Sequence, residues 1–126
     1  MSSSSFLLKS LSKTRLYLKD IIINNPSIDF FFISGNHDEA TRIFEFEDEP
    51  KNLKRFGNEF KTYNYPDCDI TGINYKDEYD FSKLNLNKDK KNILILHGDI
   101  NSNINLKQLK NKNIDYLALG HIHKYD

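Results

Sequence analysis

Asn92-Ile93-Leu94-Ile95-Leu96-His97-Gly98-Asp99 is the stretch on which the fold turns: four apolar residues in a row, then a histidine, a glycine and a carboxylate. A continuous apolar run this short, stopped by glycine, predicts a strand buried on both faces, the type found in parallel sheets. The same rhythm occurs twice more. Ile28-Asp29-Phe30-Phe31-Phe32-Ile33 leads into Ser34-Gly35-Asn36-His37-Asp38, and Ile114-Asp115-Tyr116-Leu117-Ala118-Leu119 leads into Gly120-His121-Ile122-His123. Three such strands predict an α/β domain. In open sheets of that class a ligand lies beyond the carboxyl ends of the strands.

All 4 histidines of the chain fall at these three ends. Histidines scattered through a core or over a surface would not gather there, although any one of them alone reads as an ordinary hydrogen-bonded side chain. Glycines at 35, 98 and 120 let the backbone turn sharply at each end. Imidazole is the commonest side-chain metal ligand, and an asparagine amide oxygen beside it suits a hard or borderline divalent ion such as manganese, iron or zinc. His121 and His123 are two residues apart, so in extended backbone both rings leave the same side. They could then address one ion each in a two-metal site.

Outward from these strands, residues 14–25 predict a helix. Leu16, Leu18, Ile21, Ile22 and Ile23 form a broad apolar face opposite Lys19 and Asp20, Ser12 is the candidate cap, and Asn24-Asn25-Pro26 stops the turn. The stretch from Asp38 to Asn58 is ambiguous, with a short helix expected over 53–56. Residues 60–65 and 70–75, split by Pro66-Asp67, predict a strand pair. Residues 78–91 read as a charged connector and 105–112 as a short helix. The acidic group Glu45, Glu47, Asp48 and Glu49 reads as a solvated face. Lys107, Lys110 and Lys112 read as the exposed side of the late helix, with phosphate-backbone contact as their alternative.

The chain has 126 residues, enough for one domain. Its 18 basic and 18 acidic residues cancel, and each half is balanced when the chain is split at Tyr63. A basic nucleic-acid-binding arm, an acidic tail and a polybasic membrane patch are thereby excluded as the main theme. No apolar run is long enough to span a bilayer, and the opening Met1-Ser2-Ser3-Ser4-Ser5 lacks the positive start of a secretory signal. The single cysteine, Cys68, has no partner for an internal disulfide and reads as an exposed, unreactive thiol. A reduced, cytoplasmic location is the expectation. Fifteen asparagines, fifteen lysines and no valine point to a compositional bias that weakens propensity arguments.

Gly35-Asn36-His37-Asp38, His97 behind an apolar strand and Gly120-His121-Ile122-His123 resemble, in order, the last three blocks of the calcineurin-like metallophosphoesterases. The run from Asp115 to Lys124 is similar to the DNA repair exonuclease branch, which holds the bacterial SbcD and the Mre-type nuclease subunits. The resemblance implies part of an α-β-β-α sandwich and two divalent ions, manganese first, with iron or zinc as alternatives. It assigns Asn36, His97 and His121 to the second ion and His123 to the first. It places His37 near the scissile phosphate and leaving group, with Asp38 orienting it. It also implies a DNA or other phosphate-ester substrate, an SMC-like ATPase partner and a homodimer.

Two blocks of the family pattern are absent from this sequence. Neither an Asp-x-His nor a Gly-Asp-x-x-Asp occurs before His37; Gly98-Asp99 is a Gly-Asp pair but stands behind the wrong strand. Those blocks supply most ligands of the first ion and the bridging carboxylate. Residues 1–126 are therefore expected to be one partial domain, its middle to late part, without the first strands or the C-terminal portion. The implied function is a metal-dependent phosphoesterase, foremost a DNA-cleaving nuclease, inactive as this chain alone. The alternatives are a non-catalytic protein-binding module on the same scaffold and an enzyme for another phosphate ester.

Overall fold

The computed structural model describes residues 17–33, 48–100 and 102–120. The chain divides into two compact units, Met1–Arg55 and Phe56–Asp126.

In the first unit, helix α1 runs over residues 17–24. Ile22 is its buried anchor, while Ile23 is half exposed and Lys19 partly covered, so the apolar face is narrower than its sequence suggests. The reason is angular: Ile22 stands one turn from Leu18, whereas Ile23 is rotated about 100° away. The candidate cap Ser12 lies outside the described residues. The helix ends on side-chain amides: Asn25 Nδ2 donates to Ile21 O at 2.7 Å and Asn52 Nδ2 to Ile22 O at 2.8 Å. Asn52 Nδ2 also reaches Asn25 O and Ile28 O, closing the turn into the next strand.

Strand β1, Phe30–Phe32, is half-buried rather than fully enclosed, and it pairs in parallel with β2, Leu53–Arg55. The helix expected at 53–56 is thus a strand. Four residues carry no usable period, and pairing with Phe30–Phe32 occupies backbone groups that a helix would use internally. Phe32 and Arg55 are register partners, and the Arg55 guanidinium sits 5.5 Å from the Phe32 ring centroid while pairing with Glu49. Asp48 and Glu49 are exposed as expected; Glu45 and Glu47 lie outside the described residues.

The second unit is a four-stranded sheet in the order β3-β4-β5-β6. Its strands are β3, Lys61–Asn64; β4, Cys68–Gly72; β5, Lys91–His97; and β6, Tyr116–Gly120. The hairpin β3–β4 is antiparallel, as read around Pro66-Asp67, with Thr62–Thr71 and Asn64–Asp69 hydrogen bonds on register pairs. Strands β4, β5 and β6 are mutually parallel, so their carboxyl ends share one edge. Cys68, free and half-buried at the start of β4, is not the exposed thiol expected.

Strand β5 is not sealed on both faces: Asn92, Leu94 and Leu96 are buried, while Ile93, Ile95 and His97 are half-buried. The buried face meets Ile73, Tyr79, Phe81, Leu84, Ile104 and Leu109. Three of these come from the connector, which holds a 3₁₀ turn at Phe81–Lys83 capped by Asp80. Helix α2, Leu106–Leu109, is capped by Asn105. Lys107 and Lys110 are exposed, while Lys112 is half covered with Nζ 3.5 Å from Leu84 O. Together the elements make a mixed α/β fold. No helix among the described residues is long and apolar enough to cross a membrane.

Candidate functional site

The parallel run of β4, β5 and β6 brings three strand ends, Gly72, His97 and Gly120, to one edge of the sheet. His97 is the last residue of β5, and its register partner is Gly120, the last residue of β6. The Gly98 amide donates to Gly120 O at 3.0 Å, continuing the ladder one step past the strand. Strand β6 therefore ends beside His97.

Gly120 packs closely against the imidazole, and a Cβ there would make the ring give by a few tenths of an ångström. Such a Cβ would stand 3.1 Å from His97 Cδ2, closer than side chains ordinarily tolerate. On another side, the Tyr75 and His97 rings meet edge-on, with centroids 5.8 Å apart and planes at 84°. The imidazole is half-buried, and its Nδ1 is shielded from solvent. The His97 carbonyl accepts from Tyr79 Oη at 2.7 Å and from Asn103 Nδ2 at 3.2 Å. Burial pushes the Tyr79 phenol above its ordinary value, and its hydrogen bond to Asp77 raises Tyr75. Both phenols therefore stay neutral donors through physiological pH.

Of the six residues singled out from the sequence, His97 is described. Asn36, His37 and Asp38, beyond β1, and His121 and His123, beyond β6, lie outside the described residues. Among the described residues no group of three or more His, Cys, Asp or Glu side chains could hold a metal ion. What the sheet does bring together is His97 and the residue ahead of His121. Tyr75, Tyr79 and Asn103 were not legible as site residues. Residues 70–75 read as half of a hairpin, and the parallel pairing that aligns the end of β4 with His97 is a tertiary fact. Asn103 is one of fifteen asparagines and carries no local signal.

A protein-family model, calcineurin-like phosphoesterase, matches residues 6–125. The chain belongs to that family. No curated protein and no solved structure matches it significantly. The family is one of metal-dependent phosphate-ester hydrolases. A half-buried imidazole held at a strand carboxyl end is a fitting ligand for a divalent ion.

Proposed function

We propose that the chain supplies the second-ion side of a two-ion phosphoesterase site whose substrate is a DNA phosphodiester. Asn36, His97 and His121 hold one ion, manganese first with iron or zinc as alternatives, and His123 contributes to the other. Bound divalent ions would neutralise phosphate oxygens and lower the pKa of a water. His37, which follows the first apolar run in the sequence, holds a proton for the departing oxygen, and Asp38 orients the ring and favours its charged form. The observation that carries this reading is the family match across residues 6–125 combined with His97 placed abreast of Gly120 at the carboxyl edge of the sheet. The nuclease preference comes from the resemblance of residues 115–124 alone.

Asn36, His97 and His121 are neutral donors, and no carboxylate among the assigned ligands compensates the charge of the ion. Binding should accordingly be weak beside that of a closed structural site. Manganese titration by calorimetry tests it: the wild-type chain binds, and His97→Ala loses most of that affinity. Equal binding by both would remove His97 from the ligand set. If neither binds, the non-catalytic module becomes the better reading, which the absence of Asp-x-His and Gly-Asp-x-x-Asp blocks also favours.

A further inference from the structure

We infer that Asn103, assisted by Tyr79, is a positioning residue that fixes the strand end carrying His97, a role that rests on the reading of His97 as a metal ligand. The need for such a device is local. Gly98 follows His97 directly and has φ +156°, a conformation that L side chains rarely adopt. A glycine here frees the backbone to turn but leaves the preceding residue poorly constrained. Asn103 removes that freedom from one side chain. Its Nδ2 donates to Lys76 O at 2.8 Å and to His97 O at 3.2 Å, while its Oδ1 accepts from the Asp99 amide at 2.9 Å.

One amide thus ties the segment after β4 to both sides of the Gly98 turn. Tyr79 Oη adds the second donor to His97 O. The fit is reciprocal, because a Cβ on residue 98 would collide with the Asn103 amide. Asn103 is itself anchored by its neighbour Ile104, 1 % exposed in the core, whose amide donates to Asp99 O at 3.1 Å. With the peptide plane after His97 held this way, the ring is confined between Tyr75 and Gly120. Orienting contacts of this kind are worth about 10- to 100-fold in metal affinity.

The test compares Asn103→Ala and Tyr79→Phe with Asn105→Ala in the 126-residue chain. Asn105 caps α2 two residues further on without touching His97, so its loss reports a purely structural effect in the same segment. The first readout is the His97 ring signal in proton–carbon NMR of the metal-free chain, assigned by its disappearance in His97→Ala. The second is the manganese dissociation constant. Asn103→Ala should broaden or split the ring signal and weaken manganese binding by about 10- to 100-fold. Tyr79→Phe should do the same to a smaller degree, and Asn105→Ala should match wild type in both readouts. A single, unshifted ring signal in Asn103→Ala, or the same change in Asn105→Ala, overturns the inference. If the ring signal changes as expected while His97→Ala binds manganese like wild type, positioning stands and the ligand assignment falls.

Discussion

Asn92 is 1 % exposed, yet its Nδ2 donates to Asn87 O at 2.7 Å, Asn113 O at 3.0 Å and Lys90 O at 3.2 Å. It is the interior brace at the head of β5, just as Asn52 is for the three carbonyls around the end of α1. A buried carbonyl without a donor costs about 1–3 kcal/mol, and not all three would be fully stranded. Asn92→Ala should therefore lower unfolding free energy by about 3 kcal/mol, read by urea denaturation. A loss below ~1 kcal/mol would mean that water replaces the amide at little cost. Asn113, with φ 65°, and Asn111, with φ 67°, use the same residue type for another purpose, tolerance of left-handed backbone. From sequence the fifteen asparagines look alike; their roles separate only when each is placed against particular carbonyls or turns.

At the scale of elements, the join between β4 and β5 carries a titratable contact. Asp69, buried on β4, meets Lys90 Nζ at 2.8 Å, and Lys90 also donates to Tyr65 O. The hydrogen bond from Lys90, then that from Asn64, holds the Asp69 carboxyl below its ordinary value of 3.8. The folded state thus favours the ionised carboxylate. Its contribution is present above the unfolded value and disappears as pH falls through the lowered folded one. Thermal midpoints of wild type and Asp69→Asn should differ at neutral pH and converge below about pH 4. A constant difference across that window would show that the pair does not govern the acid limb. Asp80, lowered by Ser82, titrates in the same range, which is why the difference between the two proteins, not the wild-type curve alone, is decisive. The β2 strand is the contrasting case. Leu53–Arg55 is too short to announce itself, and only its partner Phe30–Phe32 makes it a strand.

At the scale of the whole molecule, the proposed chemistry depends on residues that act together. Water activation between two ions needs ligands on both, and the sequence lacks the Asp-x-His and Gly-Asp-x-x-Asp blocks that resemblance would assign to the first. The 126-residue chain with manganese should hydrolyse bis-p-nitrophenyl phosphate no faster than buffer with manganese. Adding a polypeptide that carries the family's Asp-x-His and Gly-Asp-x-x-Asp blocks should restore cleavage, with DNA preferred over p-nitrophenyl phosphate if the nuclease reading holds. Robust turnover by the chain alone would show that its own side chains complete the site.

The apolar strand cores, the hairpin at Pro66-Asp67 and the position of His97 behind its apolar run were legible from the residues, because those are local patterns of hydrophobicity and turn chemistry. The sequence by itself also determined the family, through short blocks in a set order. Tertiary structure alone decided that Leu53–Arg55 pairs with β1, that Tyr79, Phe81 and Leu84 leave a charged connector to fill the core, and that Tyr75 and Asn103 meet His97. Each of these depends on a partner distant in sequence, and a contact between distant residues leaves no period or spacing in either segment. The parallel register that sets His97 against Gly120 belongs to the same class: two strand ends were visible separately, but their adjacency is a property of the sheet.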